Sequence, residues 1–386
     1  MKYTYPTYQR YPIEPVTGTG SYLTDRDQKT YLDFTSGIAV CNLGYQNELL
    51  QQQMHQQVDQ LWHISNLYEN QLQDEVAHLL VQETEKMVFF CNSGTEANEA
   101  AIKLARRVTG RTQILACTNS FHGRTYGALS ATDNAAIKTG FGPFVPEVAF
   151  MPYNEAAALD QITDAVAGVL LEVIQGEGGV ILGDAAWLQA VQAKCHETGT
   201  LLIIDEVQTG MGRTGQLFAY QHYQLAPDVV TVAKALGNGL PIGAVIGRQA
   251  YQTAFGPGSH GSTFGGNLLA MTAAKAVLQQ ITPEFLTTVA AKGQHFITAL
   301  SQQLGPLPAV KAVRGLGLMA GIELVDAVSA GQIVTQLQKK GLLTLTAKHN
   351  TLRLLPPLIT KTADLEKGIA LITTVLQEVN DESISR

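Results

Sequence analysis

The sequence predicts an α/β fold with a mostly parallel central sheet that helices cover on both faces. Between about Lys86 and Gly247, apolar strand-like runs alternate with segments of helical periodicity, as they do when helices join parallel strands. The chain has 386 residues, which is more than one hydrophobic core usually supports. We therefore expect a large domain over residues 46–280 and a smaller α+β domain built from both termini, residues 1–45 and 281–386.

The first elements differ from those of the central region. Residues 16–34 contain short strand-like runs separated by Gly and Asp, which predicts strands joined by tight turns. Residues 48–60 are rich in Gln and carry apolar residues at helical spacing, which predicts a solvated amphipathic helix.

The central region opens with the apolar run Met87–Asn92 and a predicted helix from Thr95 to Val108 with one apolar stripe. On the opposite face Glu99 and Lys103 stand four residues apart, in the order that favours an ion pair. Four further apolar runs predict the other strands: QILACT, GVLLEVIQ, LLIIDEVQ and DVVTVAKAL.

A second long helix is predicted between the GVLLEVIQ and LLIIDEVQ runs. It extends from Asp184, a favourable N-cap, to Thr198, and Gly199 ends it. Beyond about Ile281 helices and short strands alternate again, and we assign this part to the smaller domain.

The charge and the cysteines indicate a cytoplasmic protein that binds neither nucleic acid nor a membrane. The net charge of −7 gives no reason to expect nucleic acid or an anionic membrane. No apolar run is long enough to cross a bilayer, and the N-terminus lacks the apolar core of a signal peptide. No HExxH or CxxC motif suggests a metal site, and the cysteines are too widely spaced for a disulfide framework: Cys41, Cys91, Cys117 and Cys195.

Candidate site residues follow the apolar runs, because ligands of open α/β sheets bind beyond the carboxyl ends of the strands. The segment Ser93-Gly94-Thr95 lies between a strand and a helix, where hydroxyls and free N–H groups can bind a phosphate. A helix cap made by the same residues is an equally good explanation.

Asp205 closes a fully apolar strand and needs a positive partner, such as a protonated pyridine nitrogen. Alternatively, Asp205 could be a magnesium ligand or could cap the helix that follows. Lys234 also closes an apolar strand, just before a Gly-rich turn. A desolvated lysine becomes a nucleophile for carbonyls, although by itself a lysine that reaches solvent is the simpler explanation.

The segment Phe121–Thr125 supplies an aromatic ring that can stack on a flat ligand, and Arg124 can bind a carboxylate. A core Phe and a structural ion pair would explain the same residues. Taken together, the phosphate site, the carboxylate, the lysine, the aromatic ring and the arginine match the needs of pyridoxal phosphate.

The sequence resembles the class III (ornithine-type) aminotransferases of fold type I, and within them the acetylornithine subgroup. Segments that resemble the family run nearly end to end, and DEVQTGMGRTG and HGSTFGGN are the most specific. The matching segments are Gly18–Val40, Leu61–Tyr68, Cys91–Arg106, Ser120–Thr125, Gln175–Gly179, Leu201–Gly215, Ala233–Ala244, His260–Asn267, Arg314–Leu324 and Arg353–Leu358.

The resemblance implies a role for each catalytic and ring-binding residue. Lys234 would bind the cofactor covalently and then carry protons between the amino carbon of the substrate and the cofactor. Asp205 would keep the pyridine nitrogen protonated, and Gln208 would hydrogen-bond the ring hydroxyl. Val207 and Phe121 would lie on the two faces of the ring.

The resemblance also implies a shared active site. Gly94 and Thr95 would bind the phosphate with Ser93 nearby, and Thr263 would reach that phosphate from the other subunit of a homodimer. Ser262 would contact the substrate, and Arg124 would bind its α-carboxylate.

Glu177 and Arg353 resemble the gate pair of the family. Glutamate and 2-oxoglutarate present a carboxylate next to the reacting carbon, and Arg353 would bind it. The acylated amine has no such carboxylate, so Glu177 would neutralise Arg353, because a buried unpaired charge is costly.

The implied reaction moves the terminal amino group of N2-acetyl-L-ornithine to 2-oxoglutarate, as in arginine biosynthesis. Ornithine, 4-aminobutyrate, succinylornithine and N-succinyl-diaminopimelate are alternative amines, and a lyase or aminomutase is an alternative class. Ile38 stands where an ornithine-specific enzyme tends to carry Tyr, which favours an acylated or an α-amine-free substrate. The chain departs from the family pattern at residues 45–47 and at Leu268, and the first departure affects either the substrate mouth or a helix start.

Overall fold

The computed structural model describes residues 3–82 and 84–384, and these residues contain seventeen strands. The strands are β1 (Pro15–Thr19), β2 (Tyr22–Asp25), β3 (Thr30–Asp33), β4 (Lys86–Cys91), β5 (Gln113–Cys117), β6 (Val148–Met151), β7 (Val166–Leu171), β8 (Ile174–Gln175), β9 (Ile181–Leu182), β10 (Leu201–Asp205), β11 (Val229–Ala233), β12 (Gly243–Arg248), β13 (Val310–Leu316), β14 (Met319–Leu324), β15 (Leu342–Leu343), β16 (Leu345–Ala347) and β17 (Thr351–Leu354).

Helices connect most of the strands of the central sheet and form much of the C-terminal region. They are α1 (Ser36–Ala39), α2 (Glu48–Val58), α3 (Gln71–Val81), α4 (Gly94–Thr109), α5 (Tyr126–Ser130), α6 (Ala135–Lys138), α7 (Ala185–Thr198), α8 (Leu268–Gln280), α9 (Pro283–Leu304), α10 (Ala330–Lys339) and α11 (Thr362–Ile384).

The central sheet has seven strands in the order β4-β12-β11-β10-β7-β5-β6. Only β12 runs antiparallel to its neighbours, so the sheet is mostly parallel, as predicted. Alternate residues of β10 pack on opposite faces: Leu202 and Ile204 join the core under α7, and Leu201 and Ile203 join the core under α4. Helices therefore cover both faces of the sheet, which confirms the predicted fold class.

The two long central helices begin and end close to the predicted residues. Ser93 caps α4 by accepting a hydrogen bond from the N–H of Glu96, and Gly110 ends it in a left-handed conformation. Asp184 and Gly199 do the same for α7. Both helices therefore obtain their boundaries from local capping chemistry.

The predicted Glu99–Lys103 ion pair is wrong. Glu99 instead accepts hydrogen bonds from the Thr125 hydroxyl and from the N–H groups of Gly127 and Ala128 at the start of α5. Lys103 turns to the His260 ring, with 2.7 Å between Nζ and Nδ1. Tertiary partners replace an i,i+4 contact that contributes only a few tenths of a kcal/mol, about 0.2–0.5.

The N-terminal and C-terminal regions pack on one another. Strand β15 pairs in parallel with β3, and the Phe34 and Phe296 rings meet edge to face with 5.9 Å between centroids. A four-stranded sheet, β13-β14-β17-β16, packs into the hydrophobic core that contains Phe34 and Phe296. This packing is compatible with one small domain from both termini, and the boundaries 1–45, 46–280 and 281–386 stay a proposal.

Arg213 connects the central sheet with both terminal regions. Its fully buried guanidinium donates hydrogen bonds to the carbonyl oxygens of Leu318 (2.8 Å) and Pro356 (2.5 Å) and to the Asn42 side chain. It also donates to the hydroxyl of Ser36 at 3.2 Å. The DEVQTGMGRTG segment thus holds the small sheets against the edge where the site lies.

Tyr45 and Asn47, two of the residues that depart from the family pattern, make structural contacts. Asn47 caps α2 by accepting a hydrogen bond from the N–H of Leu50 at 3.0 Å. Tyr45 donates its hydroxyl to the buried carboxylate of Asp33 at 2.7 Å. These contacts agree with the helix-start interpretation of the departure.

Two further properties concern the described residues only. None of their helices combines the length and the apolar character that spanning a membrane requires. Among them, no cluster of three or more His, Cys, Asp or Glu side chains has a geometry that could hold a metal ion.

Candidate active site

Asp205 and Lys234 lie at the carboxyl edge of the central sheet because their strands are parallel neighbours. Asp205 is the last residue of β10 and is opposite Thr231 of β11. Lys234 follows β11 directly. The two residues that sequence reasoning singled out separately thus belong to one edge of one sheet.

The Asp205 carboxylate is buried and held by three donors. Its Oδ1 accepts a hydrogen bond from the N–H of Val207 at 2.9 Å. Its Oδ2 lies 2.8 Å from Nδ2 of Asn98 and 2.7 Å from Nδ1 of His122. Two of these partners, Asn98 and His122, are functional candidates that sequence reasoning missed. His122 stood inside the FHGRT segment, next to the predicted ring-stacking Phe121, and that position was the available signal.

Asn98 also orients the neighbouring elements. From inside α4 it donates to the carbonyl of His122 at 2.8 Å and accepts from the Thr231 hydroxyl at 2.8 Å. One buried amide therefore ties α4, β11 and the His122 loop to Asp205. Buried polar groups that are fully paired in this way hold one arrangement.

Lys234 has a strained backbone and an unpaired amine. Its φ is +44°, a conformation that non-glycine residues avoid and that concentrates at functional sites. Among the described residues its Nζ has no hydrogen-bond partner within range, although the side chain lies largely in the interior. Burial lowers the pKa of Lys234, the negative charge of Glu177 works in the opposite direction, and Arg353 adds to the lowering.

The residues predicted to bind a phosphate lie at the N-terminus of α4. The N–H groups of Gly94 and Thr95 belong to the first turn of the helix, where they have no intrahelical acceptor. The Thr95 hydroxyl lies 2.7 Å from that of Thr125, and a Cβ at Gly123 would lie 2.1 Å from it. A Cβ at Gly94 would lie 2.7 Å from the Val207 side chain, so glycine is required for this close approach.

Phe121 and Val207, the two predicted ring contacts, are half-buried at the same edge. The Val207 backbone is fixed by Asp205, and the N–H of Phe121 donates to Glu172 at 3.2 Å. Arg124 is exposed, with its guanidinium 5.8 Å from the centroid of the Phe121 ring. Both the ring and the arginine are thus available to a ligand.

The predicted gate pair (Glu177 and Arg353) forms an ion pair in the structure. Nη1 of Arg353, on β17, lies 2.6 Å from Oε1 of Glu177 and 3.0 Å from Oε1 of Gln208. The amide nitrogen of Gln208 lies 3.5 Å from the same Glu177 oxygen. Burial acts to raise the pKa of Glu177, but the charge and hydrogen bond of Arg353 outweigh it and the pKa is lowered.

Ser262 and Thr263 lie in the loop before α8. The Ser262 hydroxyl accepts hydrogen bonds from Nδ2 of Asn92 and from the N–H of Gly265, both at 3.0 Å. Thr263 is exposed. The structure therefore places Ser262 next to the end of β4, beside the phosphate site, and leaves Thr263 on the surface of the subunit.

Pyridoxal phosphate fits the residues at this edge. A buried carboxylate suits a protonated ring nitrogen, an unpaired amine suits a carbonyl, and free helix N–H groups suit a phosphate. The strained backbone of Lys234 and the close approach of Gly94 to Val207 would not be needed if this edge of the sheet had no ligand to bind. The fold and this edge define a pyridoxal-phosphate-binding enzyme.

Comparison with known proteins identifies the family. Residues 3–376 match the family described as aminotransferase class-III. The chain is 58% identical over 382 residues to an acetylornithine aminotransferase of Lactiplantibacillus plantarum, covering 99% of this chain and 98% of the relative. It is 53% identical over 380 residues to one of Listeria innocua, covering 98% of each.

A solved structure agrees in fold. It is the ornithine aminotransferase of Toxoplasma gondii with partial occupancy of pyridoxal phosphate at its active site, and it superimposes with a TM-score of 0.94 at 29% identity, covering 98% of this chain and 93% of that one. The chain belongs to the class III aminotransferases and is a pyridoxal-phosphate-dependent aminotransferase.

Proposed function

We propose that the enzyme transfers the terminal amino group of N2-acetyl-L-ornithine to 2-oxoglutarate, giving N-acetyl-L-glutamate 5-semialdehyde and L-glutamate. The contact between Glu177 and Arg353 carries the proposal, because a switchable arginine is needed only where two differently charged substrates share one site. The names of the curated relatives support the choice of amine. Arginine biosynthesis is the pathway in which this reaction belongs.

Pyridoxal phosphate, when bound, supplies the carbonyl that accepts the amine and a ring that takes up the electrons released at the amino carbon. The fixed carboxylate of Asp205 would hold the ring nitrogen in its charged form. The Nζ of Lys234 removes the proton from the amino carbon and returns it at the neighbouring position. Its lowered pKa favours the neutral amine that removes the proton, and the ammonium group formed in that step returns it.

The surrounding residues hold and orient the cofactor. The N–H groups of Gly94 and Thr95, with Ser93 beside them, bind the phosphate at the positive end of α4. Val207 and Phe121 would contact the two faces of the ring and exclude water from it. Gln208 would hydrogen-bond the ring hydroxyl, Ser262 would contact the substrate and Arg124 would bind its α-carboxylate.

The gate pair explains how one site serves both substrates. With the acylated amine bound, Arg353 stays paired with Glu177, and the apolar part of the substrate lies beside a neutral pair. With 2-oxoglutarate bound, Arg353 pairs with the carboxylate next to the reacting carbon. The exposed apolar side chain of Ile38 favours an acylated amine over one with a free, charged α-amino group.

We also propose a cytoplasmic homodimer in which Thr263 of the second copy reaches the phosphate. The segment Leu61–Tyr68 and the loop 262–265 form one surface, since Nδ2 of Asn66 donates to the carbonyl oxygens of Ser262 and Gly265. Apolar side chains are exposed on this surface, as is typical of a surface that binds another protein chain. They are Leu61, Trp62, Leu67, Tyr68 and Phe264. Light scattering on the purified enzyme tests the assembly, and a monomer with full activity would contradict it.

A substrate panel tests the proposed reaction. Purified enzyme is expected to form glutamate from 2-oxoglutarate fastest with N2-acetyl-L-ornithine, compared with ornithine, 4-aminobutyrate, succinylornithine and N-succinyl-diaminopimelate. Lys234→Ala serves as the control and should abolish turnover together with the absorption band of the covalently bound cofactor. Amine consumption without glutamate formation would indicate a lyase or aminomutase and overturn the proposal.

Ornithine is the second candidate amine, because the Toxoplasma gondii structure with this fold is an ornithine aminotransferase. The variant Ile38→Tyr separates the two candidates. It should raise the activity on ornithine relative to the activity on acetylornithine if Ile38 determines the choice of amine. Wild-type activity on ornithine that exceeds the activity on acetylornithine would replace the first proposal with the second.

A further inference from the structure

The four residues of α1 form a left-handed turn (Ser36–Ala39). Their φ values lie between +42° and +67°, and Ser36, Ile38 and Ala39 are not glycine. A left-handed backbone is unfavourable for such residues, because the Cβ atom approaches the following carbonyl oxygen. Strained conformations persist only where the surrounding structure imposes them, and they concentrate at functional sites.

One buried carboxylate holds the left-handed turn. Oδ1 of Asp33 accepts hydrogen bonds from the N–H and the hydroxyl of Thr35, both at 2.7 Å. Its Oδ2 accepts from the N–H of Ser36 at 3.0 Å and from the Tyr45 hydroxyl at 2.7 Å. Burial raises the pKa of Asp33, and the hydrogen bonds from Thr35 and Tyr45 act against the rise. Tyr45 therefore helps to keep Asp33 in the ionised form that accepts all four hydrogen bonds.

Tyr45 is anchored independently of the turn. Its N–H and carbonyl exchange hydrogen bonds with Gly20 at 2.9 and 3.0 Å, and a Cβ at Gly18 would lie 2.7 Å from its ring. Tyr45 is also one of the residues at which the chain departs from the family pattern. Asn47 of the same segment caps α2, whereas the Tyr45 hydroxyl is directed at Asp33.

The left-handed turn lies next to the end of β17, the strand that carries Arg353. The Ser36 hydroxyl donates to the carbonyl of Leu355 at 2.8 Å, and Leu355 is two residues beyond Arg353. The apolar side chain of Ile38 is 40% exposed on this turn. The N–H of Leu355 also donates to the carbonyl of Phe34 at 2.8 Å, so β17 is held in place without the turn.

We propose that Tyr45 is a positioning residue for the choice of amine: through Asp33, its hydroxyl holds the left-handed turn that presents Ile38 to the acylated substrate. This inference rests on the role of Ile38 in the proposed function. Without the hydroxyl the carboxylate loses a donor, and the strained turn relaxes and withdraws Ile38. The acylated amine then loses an apolar contact, whereas 2-oxoglutarate keeps its contact with Arg353.

The test compares the wild type with Tyr45→Phe, which removes the hydroxyl and keeps the ring. Stopped-flow half-reactions give kcat/KM for N2-acetyl-L-ornithine, ornithine and 2-oxoglutarate. We expect the preference for the acylated amine over ornithine to fall on the order of tenfold, the size of one hydrogen bond to a charged group. The half-reaction with 2-oxoglutarate should keep its wild-type value.

The possible outcomes separate the inference from the proposed function. An unchanged preference in Tyr45→Phe, or an equal loss with all three substrates, would overturn the inference and leave the proposed function standing. A wild type that prefers ornithine would instead contradict the proposed function.

Tyr31→Phe is the matched control. The Tyr31 hydroxyl donates to Asp25 at 2.8 Å, and Asp25 accepts hydrogen bonds from the N–H groups of Asp27 and Lys29 between β2 and β3. The variant thus removes the same type of contact from a turn that carries no candidate site residue. It should leave the preference between the amines unchanged, and a change as large as that in Tyr45→Phe would overturn the proposal.

Ala39→Gly, added to Tyr45→Phe, separates positioning from general loosening. Glycine adopts a left-handed backbone without steric cost, so the double variant should recover most of the preference. A defect unrelated to the turn would persist, and that result would overturn the proposal. If Tyr45→Phe does not fold, Thr35→Val removes another donor to Asp33 and should lower the preference in the same way. A wild-type preference in Thr35→Val would then overturn the proposal.

Discussion

The two ends of the active site are built differently. At the ring-nitrogen end, Asp205 is held by Val207, Asn98 and His122 within the central sheet and its covering helix. At the gate end, Arg353 comes from the C-terminal sheet and contacts Glu177 and Gln208. The first end joins the central sheet and its covering helix, and the second joins the C-terminal sheet to loops of the β8–β9 pair and of the central sheet.

The difference lies in how completely each charge is paired. Asp205 has three donors on its two oxygens and is nearly inaccessible, so its position does not depend on the substrate. Arg353 leaves its buried Nε without a partner in the described residues, and its acidic partner Glu177 is partly exposed, with 32% of the side chain accessible. Under the proposed function Arg353 must exchange Glu177 for a substrate carboxylate, so its ion pair has to be breakable. Asp205 would serve every step, so its partners hold it permanently.

The largest expected effect is at the ring-nitrogen end. Asp205→Asn should lower kcat/KM about 10²–10³-fold, because a fixed charge aimed at the reacting system is lost. Both half-reactions should fall equally in stopped-flow measurements, since both use the same ring. Asp228→Asn, at the other end of the sheet, is the control, and a loss confined to one half-reaction would erase the difference between the two ends.

Arg353→Gln should have the next largest effect, and an unequal one. The half-reaction with 2-oxoglutarate should lose roughly 30-fold or more in kcat/KM, the scale of a truncated buried ion pair. The acylated-amine half-reaction should change far less, because Arg353 has no carboxylate of that substrate to bind. Arg353→Lys keeps the charge without the planar fork and should recover part of the loss; equal losses in both half-reactions would contradict a gate.

Glu177→Gln should slow the other half-reaction, the one with the acylated amine, and the effect should be smaller than that of Arg353→Gln. Arg353 would keep its charge without a counterion while the acylated amine is bound, so that half-reaction should fall roughly tenfold. The half-reaction with 2-oxoglutarate should be unchanged or faster, because Arg353 no longer has to leave Glu177. Single-turnover kinetics with each substrate measure the ratio, and a fall with 2-oxoglutarate alone would reverse the assigned roles.

The smallest effect concerns pH. The neutral amine of Lys234 reacts with the cofactor carbonyl, so the rate of covalent cofactor binding should fall as the pH falls through the pKa of Lys234. That pKa lies below the usual lysine value because of burial, and the charge of Glu177 opposes the lowering. Glu177→Gln should therefore move the midpoint of the pH–rate profile to lower pH, and a move to higher pH would contradict this electrostatic link.

The two ends also differ in how far the sequence revealed them. Asp205, Lys234 and Ser93–Thr95 each follow an apolar run, and the parallel sheet brings such positions to one edge. Asn98, His122 and Glu172 were missed because their contacts with Asp205 and Phe121 span long stretches of chain and leave no periodic signal. Glu177 and Arg353 were identified only through the family resemblance, since no local pattern joins residues 176 positions apart.

By itself, the sequence determined the elements and their order. Apolar runs, Asp and Ser caps and terminating glycines act over a few residues, so α4 and α7 and the strands between them follow from local chemistry. The tertiary structure alone decided which polar groups are paired: Glu99 with α5 rather than Lys103, and His122 with Asp205. These partners depend on distances in the packed interior, where the cost of an unpaired polar group exceeds the gain of an exposed local pair.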